Sequence, residues 1–194
     1  MTSKLLALTV LFMAVAGGSQ MAKAQSVDFS CPKAGTVEVR NAAWTVRSAG
    51  ASADDPFVCH SDAYGKMGSL LFNFFEVDDQ FKAETAREAF IALLSGHQKS
   101  VTFEFTNAER VLHRDTWSLL QHETLTLDGK SFDTIVFSVR RQNPQDKFGR
   151  KGDFTLWLDH KTGLWLKNEY RLLAGTTPGT LYYNYKDVSV TLPP

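Results

Sequence analysis

A mainly β fold of the α+β kind, a curved antiparallel sheet or half-barrel carrying one amphipathic helix, is what this chain predicts, and three observations predict it. Apolar and polar residues alternate through most of its length. Glycine-containing turn sequences separate these runs at short intervals. Only one stretch carries a helical stripe.

The first residues read as a leader. Lys4 supplies a positive charge, Leu5 to Ala16 form an apolar run broken only by Thr9, and Ala22-Lys23-Ala24 offers small residues where a signal peptidase reads them. Cleavage is expected before Gln25, leaving residues 25–194 as one β-rich domain of a soluble periplasmic or secreted protein. Cys31 follows Asp28-Phe29-Ser30 and lacks the flanks of a lipoprotein signal. No later apolar stretch approaches the roughly 20 residues of a membrane span. In an oxidising compartment the two cysteines, Cys31 and Cys59, are expected to form a disulfide. Removal of Lys4 and Lys23, with no acid, from 21 basic and 21 acidic residues leaves a net charge of −2, so no nucleic-acid partner is implied.

Thr36 to Arg40 and Ala43 to Arg47 alternate, placing Val37 and Val39, then Trp44 and Val46, on single faces. Ser48 to Pro56 reads as a loop, Phe57 to His60 as a short strand, Tyr64 to Gly68 as a turn, and Leu70 to Val77 as an apolar run to be covered on both faces. The helix covers it. It starts near Asp78-Asp79, stops at Ser95-Gly96, and carries Ala83, Ala86, Phe90, Leu93 and Leu94 on one stripe. Val101-Phe103-Phe105 alternate next, and a long β segment, Arg110 to Leu127, turns at Asp128-Gly129 into Phe132 to Arg140. After the loop Gln142 to Lys151 comes a hairpin, Gly152 to Leu173, and a last strand runs from Leu181 to Val190. That makes nine or ten strands.

The hairpin admits two registers. A three-residue loop, His160 to Thr162, pairs Leu158 with Leu164, Trp157 with Trp165 and Leu156 with Leu166, which gives one apolar face. A four-residue loop ending on a left-handed Gly163 slips the pairing by one residue. Turn chemistry favours the slipped register, but the apolar pattern favours the first, and burial outweighs a turn preference.

Catalytic signatures are missing: the chain has no GxSxG, HExxH, Walker or GxGxxG motif, and His60, His97, His113, His122 and His160 are isolated from one another. The expectation is a protein that is not an enzyme and uses no metal or cofactor. Two features point to binding. Arg140, Arg141, Lys147, Arg150 and Lys151 stand against only Asp146, a cluster that is either a solvated hairpin tip or a docking point for a lipid phosphate or an acidic envelope partner at the membrane periphery. The inward apolar positions Phe90, Phe103, Phe105, Phe137, Phe154, Leu156, Leu158 and Leu166 could line an apolar cavity.

The run FTLWLDHKTGLWLKNEYRLL and the closing YNYKDVSVTLP resemble the C-terminal part of exported bacterial domains of the outer-membrane lipoprotein-carrier type (LolA/LolB-like, with the related RseB-like regulators). The resemblance rests on the Trp-Leu-Asp and Thr-Gly-Leu hairpin and the final Tyr and Asp-Val strand. It implies a half-barrel whose apolar concave face holds acyl chains, such as those of a lipoprotein, although this chain has one helix where that family uses more. The expected function is binding of a lipid or other apolar ligand without catalysis. The alternative is a structural or interaction protein of the bacterial envelope whose sheet is fully packed.

Overall fold

The computed structural model describes residues 28–63, 65–77, 83–107, 110–146, 149–175, 185 and 187–194. The leader expected at 1–24 lies outside them. Among the described residues the fold is mainly β with one helix, as the sequence predicts, but eleven strands form two antiparallel sheets where nine or ten in one curved sheet are expected, and no barrel closes.

Sheet A has the order β11-β1-β2-β3-β4-β5, built from β1 (Val37–Arg40), β2 (Trp44–Ala51), β3 (Val58–Ala63), β4 (Lys66–Leu71), β5 (Phe75–Glu76) and β11 (Val188–Thr191). Sheet B has the order β10-β9-β8-β7-β6, built from β6 (Ser100–Thr106), β7 (Leu112–Leu127), β8 (Lys130–Gln142), β9 (Lys151–Asp159) and β10 (Leu164–Ala174). The Asp128-Gly129 turn joins β7 to β8 with both residues at positive φ, which is the hairpin chemistry the dipeptide signals.

Two expectations about sheet A change. Ser48 to Ala51 is strand rather than loop, because a bulge at Gly50, φ 96°, lets the small residues keep pairing with β3. The apolar run Leu70 to Val77 is not one strand: Phe72 and Asn73 take left-handed φ values of 53° and 54° and fold β4 back on β5. Trp44 and Val46 share their face with Arg40 and Glu38, their cross-strand partners, and not with Val37 and Val39. A Glu-Arg pair therefore takes the inward positions of β1, and Glu38 is fully buried.

The helix α1 (Ala83–Leu94) buries Ala86, Phe90 and Leu93, spaced four and three residues apart, and closes with Gly96 at φ 73° donating its N–H to the Leu93 carbonyl. Its expected start at Asp78-Asp79 lies outside the described residues. Arg87 anchors it to sheet A through both carboxylate oxygens of Asp55. Phe90 reaches into the main core, its ring 4.6 Å from Phe72, 5.3 Å from Trp117 and 5.6 Å from Phe137, so it touches both sheets.

The β9–β10 hairpin takes the slipped register. Gly163 is left-handed, φ 68°, Leu164 pairs with Asp159 and Trp165 with Leu158, and a bulge follows at Leu166. The argument from a single apolar face fails because both faces are buried: Leu156 to Asp159 and Leu164 to Leu166 are all inaccessible. Leu158 and Trp165 join the main core with Phe72 and Phe90, whereas Leu164 and Leu166 join Phe132, Tyr185, Val188 and Val190.

An N-terminal strap closes this end. The Ser30 N–H donates to the His160 carbonyl at 3.2 Å, the Ser30 hydroxyl donates to the Lys161 carbonyl, and the expected disulfide joins Cys31 to Cys59 on β3 with Cα atoms 5.3 Å apart. A Cβ on Gly163 would collide with the Ser30 carbonyl oxygen, whereas one on Gly65, equally left-handed at 73°, would meet open space. Gly65→Ala should cost about 1 kcal/mol of unfolding free energy, the conformational penalty alone. Gly163→Ala should cost roughly 3 kcal/mol because strap or turn must move as well. Urea titration of both variants checks this; equal costs would show that the strap does not clamp the turn.

Candidate functional site

Sheets A and B part along one side to leave a cleft of about 440 Å³, lined from sheet A by Arg40, Trp44, Val46, Ser61, Ala63 and Leu70 and from sheet B by Phe105, Arg141, Phe154, Trp165 and Asn168. The segment Asn73 to Glu76 forms its floor, and Tyr185 flanks one end. Strand alternation places these groups. Trp44 and Val46 face inward from β2, and Phe105, Arg141 and Phe154 face inward from β6, β8 and β9 of sheet B.

The polar part of the wall consists of two arginines, each held by a fully buried carboxylate. Arg40 donates through Nη2 to Glu38 Oε2 at 2.8 Å and lies 4.7 Å over the Tyr185 ring. Burial works against its charge, but Glu38 more than offsets this and raises its pKa overall. Burial likewise pushes the Tyr185 phenol up, against the pull of the Arg40 cation. Arg141 donates from Nε and Nη2 to Asp115, at 2.9 and 2.7 Å, and lies 5.1 Å over Phe105 and 5.2 Å over Phe154. Asp115 also accepts from the Trp117 indole at 3.2 Å. Both guanidiniums are thus fixed in position and stacked on aromatic faces.

The predicted apolar positions separate into three groups. Phe105 and Phe154 line the cleft. Phe90, Phe103, Phe137, Leu156 and Leu158 are interdigitated in the main core, and Leu166 lies in the second cluster. The five basic positions do not form one patch, since Arg140 and Arg141 are consecutive on β8 and face opposite sides of the sheet. Arg140 is on the outer face, bonded with Arg171 to Asp153 at 2.9 and 3.0 Å. Arg141 faces inward to Asp115, Arg150 pairs with Asp146 at 3.4 Å, Lys151 is exposed at the start of β9, and Lys147 lies outside the described residues.

Sequence reasoning missed Glu38, Arg40, Asp115 and Asn168. Glu38 and Arg40 carry a readable signal, since residues two apart on a strand share a face and opposite charges there can pair. Asp115 carries none: its partner is 26 residues away.

Behind Arg141 sits His113, its ring 5.3 Å from Phe105 and its Nδ1 buried without a hydrogen-bond partner. No group of three or more His, Cys, Asp or Glu able to hold a metal occurs among the described residues, and none of their helices is long and apolar enough to cross a membrane.

The fold is a β-rich α+β domain of two antiparallel sheets and one helix. No family model matches the chain, and no curated protein matches it. One solved structure is similar, the hypothetical lipoprotein YmcC from Escherichia coli (K12), with a TM-score of 0.46 and 11% identity over 76% of this chain and 89% of that one. A likeness at that level carries no argument about either fold or function.

Burial, then the neighbouring Arg141 cation, pushes the His113 imidazole from 6.5 down to about 4, with Asp115 acting weakly in the opposite sense and Arg150 adding to the depression. Between those values the unfolded chain binds a proton that the folded chain refuses. His113 therefore contributes stability that is complete above pH 6.5 and is lost as the pH falls toward 4. Asp55, which its Arg87 hydrogen bond holds below the ordinary 3.8, acts only at lower pH. Urea midpoints at pH 7.5 and 4.5 should differ by on the order of 2 kcal/mol, and His113→Phe should remove most of that difference. An unchanged slope in the variant would place the loss elsewhere.

Proposed function

We propose that this is an exported, non-catalytic binding protein that holds an amphipathic or apolar small molecule in the cleft between its sheets. The cleft carries this reading. Its volume of about 440 Å³ falls in the range of small-molecule sites, and its wall combines aromatic faces with a few fixed polar groups. Export is supported by the leader sequence and by the Cys31–Cys59 bridge, which suits an oxidising compartment. The absence of the familiar catalytic motifs from the sequence favours binding over chemistry. An acyl chain, as in the lipoprotein carriers that the hairpin resembles, is one candidate ligand.

The packed core argues against a ligand within it. Phe90 is fully buried among rings of both sheets, so the concave face that the sequence offered to a ligand is filled by the protein's own side chains. The same observation favours a second reading, an envelope interaction protein whose interior is entirely structural.

Nile red, an uncharged solvatochromic dye, separates the two. In the binding reading the native protein enhances its emission and shifts it to the blue. Ala63→Trp, which fills the cleft from β3, should weaken dye binding at least about tenfold with little change in melting temperature. Phe90→Ala should lose about 3 to 5 kcal/mol of stability yet bind the dye under native conditions as the parent does. Absence of dye binding by the native protein would leave the interaction reading.

A further inference from the structure

The cleft's polar end holds a buried acceptor that no donor meets. Asn168, 5% exposed, lines the cleft at β10, yet its side-chain oxygen Oδ1 has no hydrogen-bond partner among the described residues. Glu38, fully buried, gives Oε2 to Arg40 but leaves Oε1 equally unpartnered. The two belong to one neighbourhood. Arg40, which Glu38 holds, lies over the Tyr185 ring, and the Tyr185 and Asn168 backbones exchange both hydrogen bonds at 3.0 Å. A buried acceptor left unpaired costs about 1 to 3 kcal/mol, so each is a place where an incoming donor gains free energy.

The charges point the same way. Arg40 and Arg141 face the cleft, but Glu38 and Asp115 already neutralise them at hydrogen-bond distance, and Glu76 brings a further negative charge to the lining. A carboxylate or phosphate entering here would meet no uncompensated cation, and the Glu76 carboxylate of the lining would repel it. A hydroxyl would meet Asn168 Oδ1, an acceptor short of a donor. We infer that the ligand is an amphipath with an uncharged, hydroxyl-bearing head of the acylglycerol kind. A hydroxyl of that head donates to Asn168, and the hydrocarbon lies against Trp44, Phe74 and Phe154. This inference rests on the binding reading given above and specifies the head group within it.

The test is displacement of bound Nile red by ligands that share one dodecyl-length chain, each below its micelle concentration: monolauroylglycerol, laurate, dodecyl phosphate and dodecyltrimethylammonium. Monolauroylglycerol should displace the dye at a concentration at least about tenfold below laurate or dodecyl phosphate, the value of one to two hydrogen bonds. Asn168→Ala should erase that preference. The head-group series on the unchanged protein decides the matter even if this variant does not fold. Equal or tighter binding of laurate or dodecyl phosphate overturns the inference, as does tightest binding of the ammonium ligand. A flat series, in which the chain alone sets affinity, also overturns it and leaves the Asn168 acceptor to water. Failure of the dye to bind at all is a different result, because it removes the binding reading beneath.

Discussion

Two buried hydrogen bonds hold the two sheets in fixed relation. The Trp165 indole N–H donates to the Phe72 carbonyl at 3.0 Å, and the Asn73 side-chain amide donates to the Gly163 carbonyl at 2.9 Å. Both join the fold-back between β4 and β5 to the start of β10, some 90 residues further on. Left-handed backbone at a phenylalanine costs of order 1 to 3 kcal/mol and persists only where its surroundings over-determine it. Here Phe72 is fully buried among Phe29, Phe57 and Phe90, and its carbonyl is claimed by Trp165. Everything downstream follows from that fold-back, since it brings Phe75 into the core against Phe103, Phe105 and Trp117 and sets Phe74 at the floor of the cleft.

The cleft is accordingly what remains where that clamp does not reach. At the hairpin tip the two faces of one β-ribbon are both covered, one by α1 and the fold-back, the other by β11. Away from the tip the sheets diverge, and the gap is walled by charges that a tightly packed core would exclude. Buried ion pairs seldom stabilise a fold more than an apolar replacement would. Their presence on the facing walls of the same gap is better understood as shaping a polar surface than as contributing stability.

Much of this architecture is legible in the sequence. The helix, the Asp128-Gly129 hairpin, the disulfide and the alternating strands of sheet B all follow from local chemistry, because each is decided by residues a few positions apart or by compartment. The errors fall where a distant partner decides. The hairpin register was misjudged since alternation assumes that one face of a ribbon meets water, and here sheet A covers the second face as well. The inward face of β1 is not legible for a related reason: Val37 and Val39 are its apolar residues, yet Glu38 brings its own counter-ion in Arg40 and so can be buried. The cleft itself could not be read, because Asp115, Arg141, Asn73 and Asn168 come from strands and turns whose proximity is a property of the sheet order. Phe105 and Phe154 were the two predicted ligand-lining residues that lie in it.

The strap has a consequence for how the chain is assembled. Cys31 and Cys59 are 28 residues apart, so their bridge closes a short loop and needs only the first strands to be present. The surface that the strap covers, His160 and Lys161 at the hairpin tip, arrives about 130 residues later in the chain. A nascent polypeptide emerging into an oxidising space can therefore be cross-linked locally before its final third exists, and contacts of such sequence separation form slowly. The covalent loop keeps the tethered N-terminal segment beside β3, where the late-arriving ribbon must dock, and so shortens the search that completes the fold.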